Sequence, residues 1–259
     1  MSIPTFFTDE GNGIPLLLFH AFPLNAAMWE PQRRMLSNDC RVLTFDLPGF
    51  GRGKPLPGQM SMRDCADIAI ALLDELRIDT AAIGGCSMGG YIAMAMLRHY
   101  PERVAALVLA DTRAGADSEE TRAGRAAQIE TIRTGGREAV FEAMLPKLLG
   151  ASTFENAPEL VDSVSDMMRQ TTAEGAIAML DAMAKRPDSS DVLSSCTVPC
   201  CIIVGVEDVL TPPSESEYMA HIIHDAQYHL LPGCGHLSNL ERPVRFSTVV
   251  RDFLASRVR

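Results

Sequence analysis

Apolar residues along this chain follow two rhythms. Six short segments, 16–19, 42–45, 81–84, 106–109, 201–204 and 227–231, read as strands, and several are apolar at every position. Such runs suit strands of a parallel sheet covered on both faces. Between them the period becomes helical. Ser61-Met62-Arg63-Asp64 is a capping-box signal, and Cys65, Ile68, Ala69, Leu72, Leu73 and Leu76 behind it share one face of the helix it opens. Strand, helix and strand in repetition predict right-handed crossovers and a doubly wound, mostly parallel α/β sheet. One strand is expected at 3–7, ahead of the Gly11-Asn12-Gly13 turn.

The alternation stops between Thr112 and about Pro187, where four helical patterns follow one another without a strand. Leu160, Val161, Val164, Met167 and Met168 recur at helical spacing, as do Ile177, Leu180, Met183 and Ala184. Helices with such faces must cover something apolar. The expected organisation is a core of residues 1–111 and 188–259 with a helical cap, 112–187, over one end of the sheet.

Composition narrows the classes of function. With 259 residues, 47% of them apolar, the chain can bury one large core. A formal charge of -10, with no Lys/Arg cluster along the sequence to reverse it locally, argues against nucleic acid and anionic lipid as partners. The opening Met1-Ser2-Ile3-Pro4-Thr5 has no basic stretch, and the longest apolar run, near 16–22, is too short to span a bilayer. A cytoplasmic location without membrane contact is the expectation. Seven scattered cysteines, at 40, 65, 86, 196, 200, 201 and 234, make no disulfide framework and read as reduced, buried small hydrophobes. Cys86 and Cys234 adjoin the candidate catalytic segments and are candidates for oxidant sensitivity.

Those segments begin with Gly85-Cys86-Ser87-Met88-Gly89, a G-x-S-x-G pattern. A chain this long matches that pattern by accident about one time in ten, so its context carries the weight. An apolar strand runs straight into it, and 91–97 continues as a helix that is apolar nearly all round. A sharp strand-to-helix turn strains the central residue, and Gly85 and Gly89 leave room for it. A serine hydroxyl at this place needs a base, and the base needs an acid to orient it. Asp208, in Gly205-Val206-Glu207-Asp208-Val209-Leu210-Thr211-Pro212-Pro213, follows one late strand, and His236, in Gly233-Cys234-Gly235-His236, follows the next. Asp111, at the end of 107–111, is the rival acid. Glu207 adjoins Asp208, but alternation turns its side chain the other way. Thr211 is placed to cap a helix starting at the prolines and so to anchor the acid's loop. His20 reads as a brace for its loop, and His99, His221, His224 and His229 as surface or packing residues.

With His20-Ala21-Phe22-Pro23 after the first clear strand, Asp46-Leu47-Pro48-Gly49-Phe50-Gly51 after the next, the elbow at 85–90, Asp208 to Pro212, and Gly235-His236, nearly the whole chain resembles the α/β-hydrolase family. Within it the chain looks most like small bacterial carboxylesterases, enol-lactonases and cofactor-free perhydrolases. The resemblance implies an oxyanion hole at the backbone N–H groups of Met88 and Phe22. Where the family usually has His-Gly, this chain has His20-Ala21, a departure that bears on the Phe22 donor.

The favoured reading is a serine hydrolase that cleaves a small carboxylic ester or lactone through an acyl-enzyme on Ser87, with His236 as base and Asp208 as orienting acid. No metal or other cofactor is called for. Two alternatives stand beside it: a perhydrolase or haloperoxidase-like activity on the same triad, and a non-catalytic ligand receptor on a hydrolase fold. Trp29, Met144, Leu145, Leu148, Met167, Met179 and Met183 are the candidate substrate-pocket residues. Methionines there would suit a tolerant apolar site for short acyl groups.

Overall fold

A computed structural model of the chain describes residues 6–258. Its strands are β1 (Phe7–Glu10), β2 (Ile14–Phe19), β3 (Cys40–Phe45), β4 (Ala81–Cys86), β5 (Val104–Ala110), β6 (Cys200–Gly205) and β7 (Gln227–Leu231). They form one sheet in the order β1-β3-β2-β4-β5-β6-β7, parallel except for the antiparallel β1–β3 edge pair. β2, β4, β5 and β6 are the interior strands that read as apolar throughout. β4 and β6 are buried at every position. The first strand lies later than expected, at 7–10, and residues 3–5 fall outside the described residues.

The helices are α1 (Glu30–Leu36), α2 (Met62–Glu75), α3 (Met88–His99), α4 (Glu119–Gly135), α5 (Glu138–Leu148), α6 (Ala151–Asn156), α7 (Pro158–Arg169), α8 (Ala173–Lys185), α9 (Ser190–Ser194), α10 (Pro213–Ile222), α11 (Ser238–Glu241) and α12 (Pro243–Arg257). The Ser61 box caps α2 as its sequence predicts: Ser61 Oγ accepts from Asp64 N–H, and Asp64 answers to Ser61 N–H at 2.8 Å. From β2 the chain crosses by α1 to β3 on one side, then returns by α2 to β4 on the other. Right-handed crossovers in opposite directions put α1 and α2 on opposite faces. α12 packs with α1, and α2, α3, α9 and α10 make the other row.

This reversal makes the boundary between β2 and β4 the switch point of the sheet, where a crevice opens beyond the carboxyl ends of the strands. Phe19 pairs with Gly85 there, so the loops that begin at His20 and Ser87 emerge side by side.

Between β5 and β6 run α4 to α9. Residues 112–187 hold five helices where four patterns were expected, the extra one being α6. Its six residues, Ala-Ser-Thr-Phe-Glu-Asn, are too few to show a helical period. Several hydrogen bonds tie these helices to the core. Thr172 N–H donates to Gly49 C=O at 2.8 Å, Thr171 Oγ1 to Pro23 C=O at 2.8 Å, and Gly150 N–H to the Glu241 carboxylate at 2.8 Å. No helix among the described residues is long and apolar enough to cross a membrane.

Candidate active site

β4 delivers Ser87 to the switch point in a conformation that side-chain-bearing residues rarely adopt, φ 55° and ψ -113°. Strain of this kind costs on the order of 1–3 kcal/mol and persists only where the surroundings over-determine it. Here Ser87 N–H donates to Ala110 C=O at 2.9 Å, while its own C=O accepts from Thr112 Oγ1 at 2.8 Å and Gly90 N–H at 2.9 Å. The glycines are steric necessities. A Cβ on Gly85 would lie 2.1 Å from the Gly89 carbonyl carbon, and one on Gly89 would lie 2.2 Å from the Phe19 oxygen. Ser87 thus sits at the N-terminus of α3, a twelve-residue helix whose dipole favours negative charge beside it.

His236, in the loop after β7, is buried, and its Nδ1 lies 2.8 Å from Asp208 Oδ2. Asp208 is fully engaged. Oδ1 accepts from Leu210 N–H at 2.8 Å and Thr211 N–H at 3.0 Å, and Oδ2 also accepts from Thr211 Oγ1 at 2.7 Å. Burial opposes its charge, but His236 and the Thr211 donors outweigh burial and hold the carboxyl below its ordinary range. Burial likewise opposes charge on His236, yet the charge and hydrogen bond of Asp208, with Asp111 behind them, raise the imidazole above its ordinary value. Thr211 therefore anchors the acid's loop by bonding Asp208 itself. It does not cap α10, whose N-cap is Pro212, without a side-chain bond.

The rival acid has other partners. Asp111 Oδ1 accepts from Gly205 N–H at 2.9 Å, and Oδ2 is shared by the N–H and hydroxyl of Ser238, so this carboxyl ties the end of β6 to the start of α11. Burial and the Asp208 charge push it up to about 8. Glu207 points away from His236 and accepts from Ala151 N–H at 3.1 Å. His20 accepts from Leu47 N–H at Nε2, 3.1 Å, which leaves Nδ1 to donate to Ala21 C=O at 3.0 Å. Burial lowers its pKa, so it braces this loop as a neutral ring. Cys86 and Cys234 are buried, with thiols pushed up by burial, Cys234 to about 12. Neither is the exposed, low-pKa thiol that oxidants select.

Ser87 and His236 line one cavity of about 260 Å³. Phe22 lines it too, its ring packed against Phe50 and Phe141, and Met88 follows Ser87 as the first, buried residue of α3. Of the candidate pocket residues, Met144 and Met183 reach this cavity, joined by Leu180, Leu210 and Tyr91. The other five lie elsewhere. Trp29 is buried against Phe246 of α12, and Met179 packs its sulfur 4.0 Å from Cys65 of α2. Leu148 is buried at the end of α5, Leu145 faces a separate hollow beside Met168, and Met167 is buried. Leu148, Met167 and Met179 are buried in packing of the insertion, Leu145 is partly buried, and Trp29 packs within the core.

Two features escaped sequence reasoning. Glu241 is buried and accepts from Gly235 N–H at 2.8 Å, Gly150 N–H at 2.8 Å and Thr153 Oγ1 at 2.5 Å, so it joins the histidine loop to the insertion. The sequence carries no signal for it. The second is charge: Arg113, Arg125 and Lys147 all line the cavity of Ser87. The expectation that no basic cluster offsets the overall charge is corrected here, because three segments far apart in sequence bring these cations together. Arg113, three residues beyond the carboxyl end of the buried strand β5, was the one locatable from the position of crevices in such sheets. Among the described residues no group of three or more His, Cys, Asp or Glu side chains is placed to hold a metal ion.

Comparison with known proteins identifies the fold family. The family profile described as alpha/beta hydrolase fold matches residues 14–243. The chain is 27% identical to 3-oxoadipate enol-lactonase 2 of Acinetobacter baylyi, over 91% of this chain and 87% of that protein. It is 30% identical to a 2-hydroxymuconate semialdehyde hydrolase of a Pseudomonas species, over 98% and 91%. Among solved structures, a thermophilic esterase from Thermogutta terrifontis, with malate bound, superposes with a TM-score of 0.94 at 39% identity. That match covers 97% of this chain and 93% of the esterase.

Proposed function

The chain belongs to the α/β-hydrolase fold family, and from that premise we propose that it is a serine hydrolase of small carboxylic esters or lactones, acting through an acyl-enzyme on Ser87. The observation that carries the proposal is the buried His236–Asp208 pair, 2.8 Å apart, whose histidine lines the same cavity as the strained Ser87. Similarity to an enol-lactonase and an esterase supports the choice of bond.

In this mechanism Ser87 Oγ attacks the carbonyl carbon while its proton passes to His236 Nε2, since Nδ1 is engaged by Asp208. Asp208 holds the ring and stabilises the imidazolium. The oxyanion is met by the N–H groups of Met88 and Phe22, each such donor contributing on the order of 10² to 10³ in rate. The tetrahedral centre collapses, the C–O bond to the leaving alcohol breaks, and His236 returns the proton to it. Water then enters and gives His236 a proton as it attacks the acyl carbon; the second tetrahedral centre collapses, the bond from that carbon to Ser87 Oγ breaks, and His236 returns the proton to Oγ, which releases the acid and free Ser87.

Labelling with a fluorophosphonate followed by peptide mapping tests the nucleophile: the adduct is expected on Ser87, and an adduct on another serine rejects the assignment. Ser87→Ala should lower kcat by a factor on the order of 10⁴ or more with the fold intact. A panel of esters, lactones and thioesters then ranks the bond cleaved.

A further inference from the structure

The cavity of Ser87 is lined by three cations, Arg113, Arg125 and Lys147, and by no carboxylate, in a protein whose formal charge is -10. The three are not equivalent. Arg125 donates from Nε to Asp117 at 2.5 Å, and Asp117, buried, also holds Arg186 at 2.6 Å. That carboxylate is committed. Arg113 approaches it only to 3.9 Å, and Glu215 only to 4.0 Å, well beyond the roughly 2.7–2.9 Å of a charge-assisted hydrogen bond. Its guanidinium is also hydrogen-bonded with Tyr91, while its Nε is buried without a hydrogen-bond partner. Lys147 stands exposed at the mouth.

Tyr91, Asp117 and Glu215 hold the Arg113 charge against burial, yet with both carboxylates out of hydrogen-bond reach and the side chain 22% exposed, the fork keeps capacity for a charge-assisted partner. Here the open part of the fork borders the space a substrate must occupy. Resting on the serine-hydrolase reading, we propose that the ester or lactone this cavity takes carries a carboxylate, and that Arg113 is the residue that selects for it, with Arg125 and Lys147 adding positive potential. A carboxylate fills one guanidinium fork with two parallel N–H···O bonds. A positive cleft in a negative molecule also concentrates anions at its mouth. The remaining lining is apolar or neutral, so the substrate pairs a short apolar chain with one anionic end.

The test compares mono-p-nitrophenyl adipate, which has a free carboxylate, with p-nitrophenyl methyl adipate, the same chain with that carboxylate masked. Expected is a kcat/KM about tenfold or more higher for the anion. The ratio should shrink between about 50 mM and about 0.5 M salt as the screening length shortens. Arg113→Gln should move it toward one by raising KM for the anion, and the exposed Lys147→Gln should move it part of the way. A ratio of one or below in the unmodified protein, with turnover that depends on Ser87, overturns the carboxylate proposal and leaves the hydrolase reading standing. Calorimetry on Ser87→Ala, comparing monomethyl with dimethyl adipate, separates the other case. Tighter binding of the anion without Ser87-dependent turnover of either ester would sustain the recognition and reject the chemistry.

Discussion

Asp111 and Asp208 both stand at the carboxyl ends of strands or just beyond them, behind the same imidazole, and their partners give them different work. Each accepts three hydrogen bonds from other residues, but Asp208 also faces His236, which helps keep it charged, whereas Asp111, fully buried and repelled by the Asp208 charge, is pushed up to about 8. Asp208→Asn should therefore cost on the order of 10³ to 10⁴ in kcat, because an amide facing Nδ1 favours the wrong tautomer. It should also move the acid limb of the kcat/KM profile downward. In the unmodified enzyme that limb is expected above pH 6.5, the side to which the Asp208 carboxylate moves His236, since only the neutral ring accepts the serine proton. Asp111→Asn should keep most of the activity, as an amide can accept from Gly205 N–H and donate to the Ser238 hydroxyl. The same substitution has a signature in stability. An acid with a folded pKa of about 8 and an unfolded value of about 3.9 binds its proton more tightly when folded, so its contribution falls as pH rises between those values and is flat outside them. Urea unfolding across that window should show a shallower decline for Asp111→Asn than for the unmodified chain, and equal slopes would contradict the protonated state. The choice between the two acids was legible in sequence only as a preference. What separates them is the donor set of Thr211 and Leu210 on one and Ser238 on the other, and those contacts exist only in the folded chain.

Elements that run into the site were legible wherever their own residues explain them. β4, the elbow and α3 combine a fully buried strand, two glycines and an apolar helix, and each property reads directly from the chain. β1 did not, because an antiparallel edge strand carries no apolar run to mark it: Thr8, Asp9 and Glu10 are at home at an edge. α6 and the clamp beneath it were equally silent, since Glu241 acts through partners 88 and 91 residues away, Thr153 and Gly150. Two substitutions probe these elements. Gly85→Ala should prevent the elbow from closing, with loss of soluble protein or of all activity, because the new Cβ meets backbone that cannot move aside. Glu241→Gln replaces an acceptor of three bonds, two on Oε2 and one on Oε1, by a group with one oxygen and an amide that must face an N–H. A destabilisation of about 1–3 kcal/mol is expected. Its effect should also reach kcat through Gly235, the neighbour of His236. Thermal unfolding together with kcat measures both, and an unchanged melting temperature would mean that the clamp does not hold the insertion.

At the scale of the whole molecule the question is whether the insertion limits what enters. Its helices contribute Met144, Leu180 and Met183 to a cavity whose other walls, Phe22, Ser87 and Leu210, belong to loops at the ends of the strands. A cap free to swing away would impose no size limit, but this one is bonded to the core at Gly49, Pro23 and Glu241. Gly49 and Gly175 approach so closely that a Cβ on either would lie within 2.7 Å of the other's backbone. With those attachments the cavity of about 260 Å³ sits below the roughly 300–1,000 Å³ usual for drug-sized ligands. Long acyl chains overfill this volume, and short ones do not. Rates for p-nitrophenyl esters from acetate to laurate should therefore peak among the short chains and fall steadily beyond them. The peak should shift to longer chains when Leu180 or Met183 is cut back to Ala, since each removes apolar volume from the cap side of the cavity. An optimum at ten or more acyl carbons in the unmodified enzyme would mean that the cap opens in solution, and that its attachments to the core do not govern substrate size.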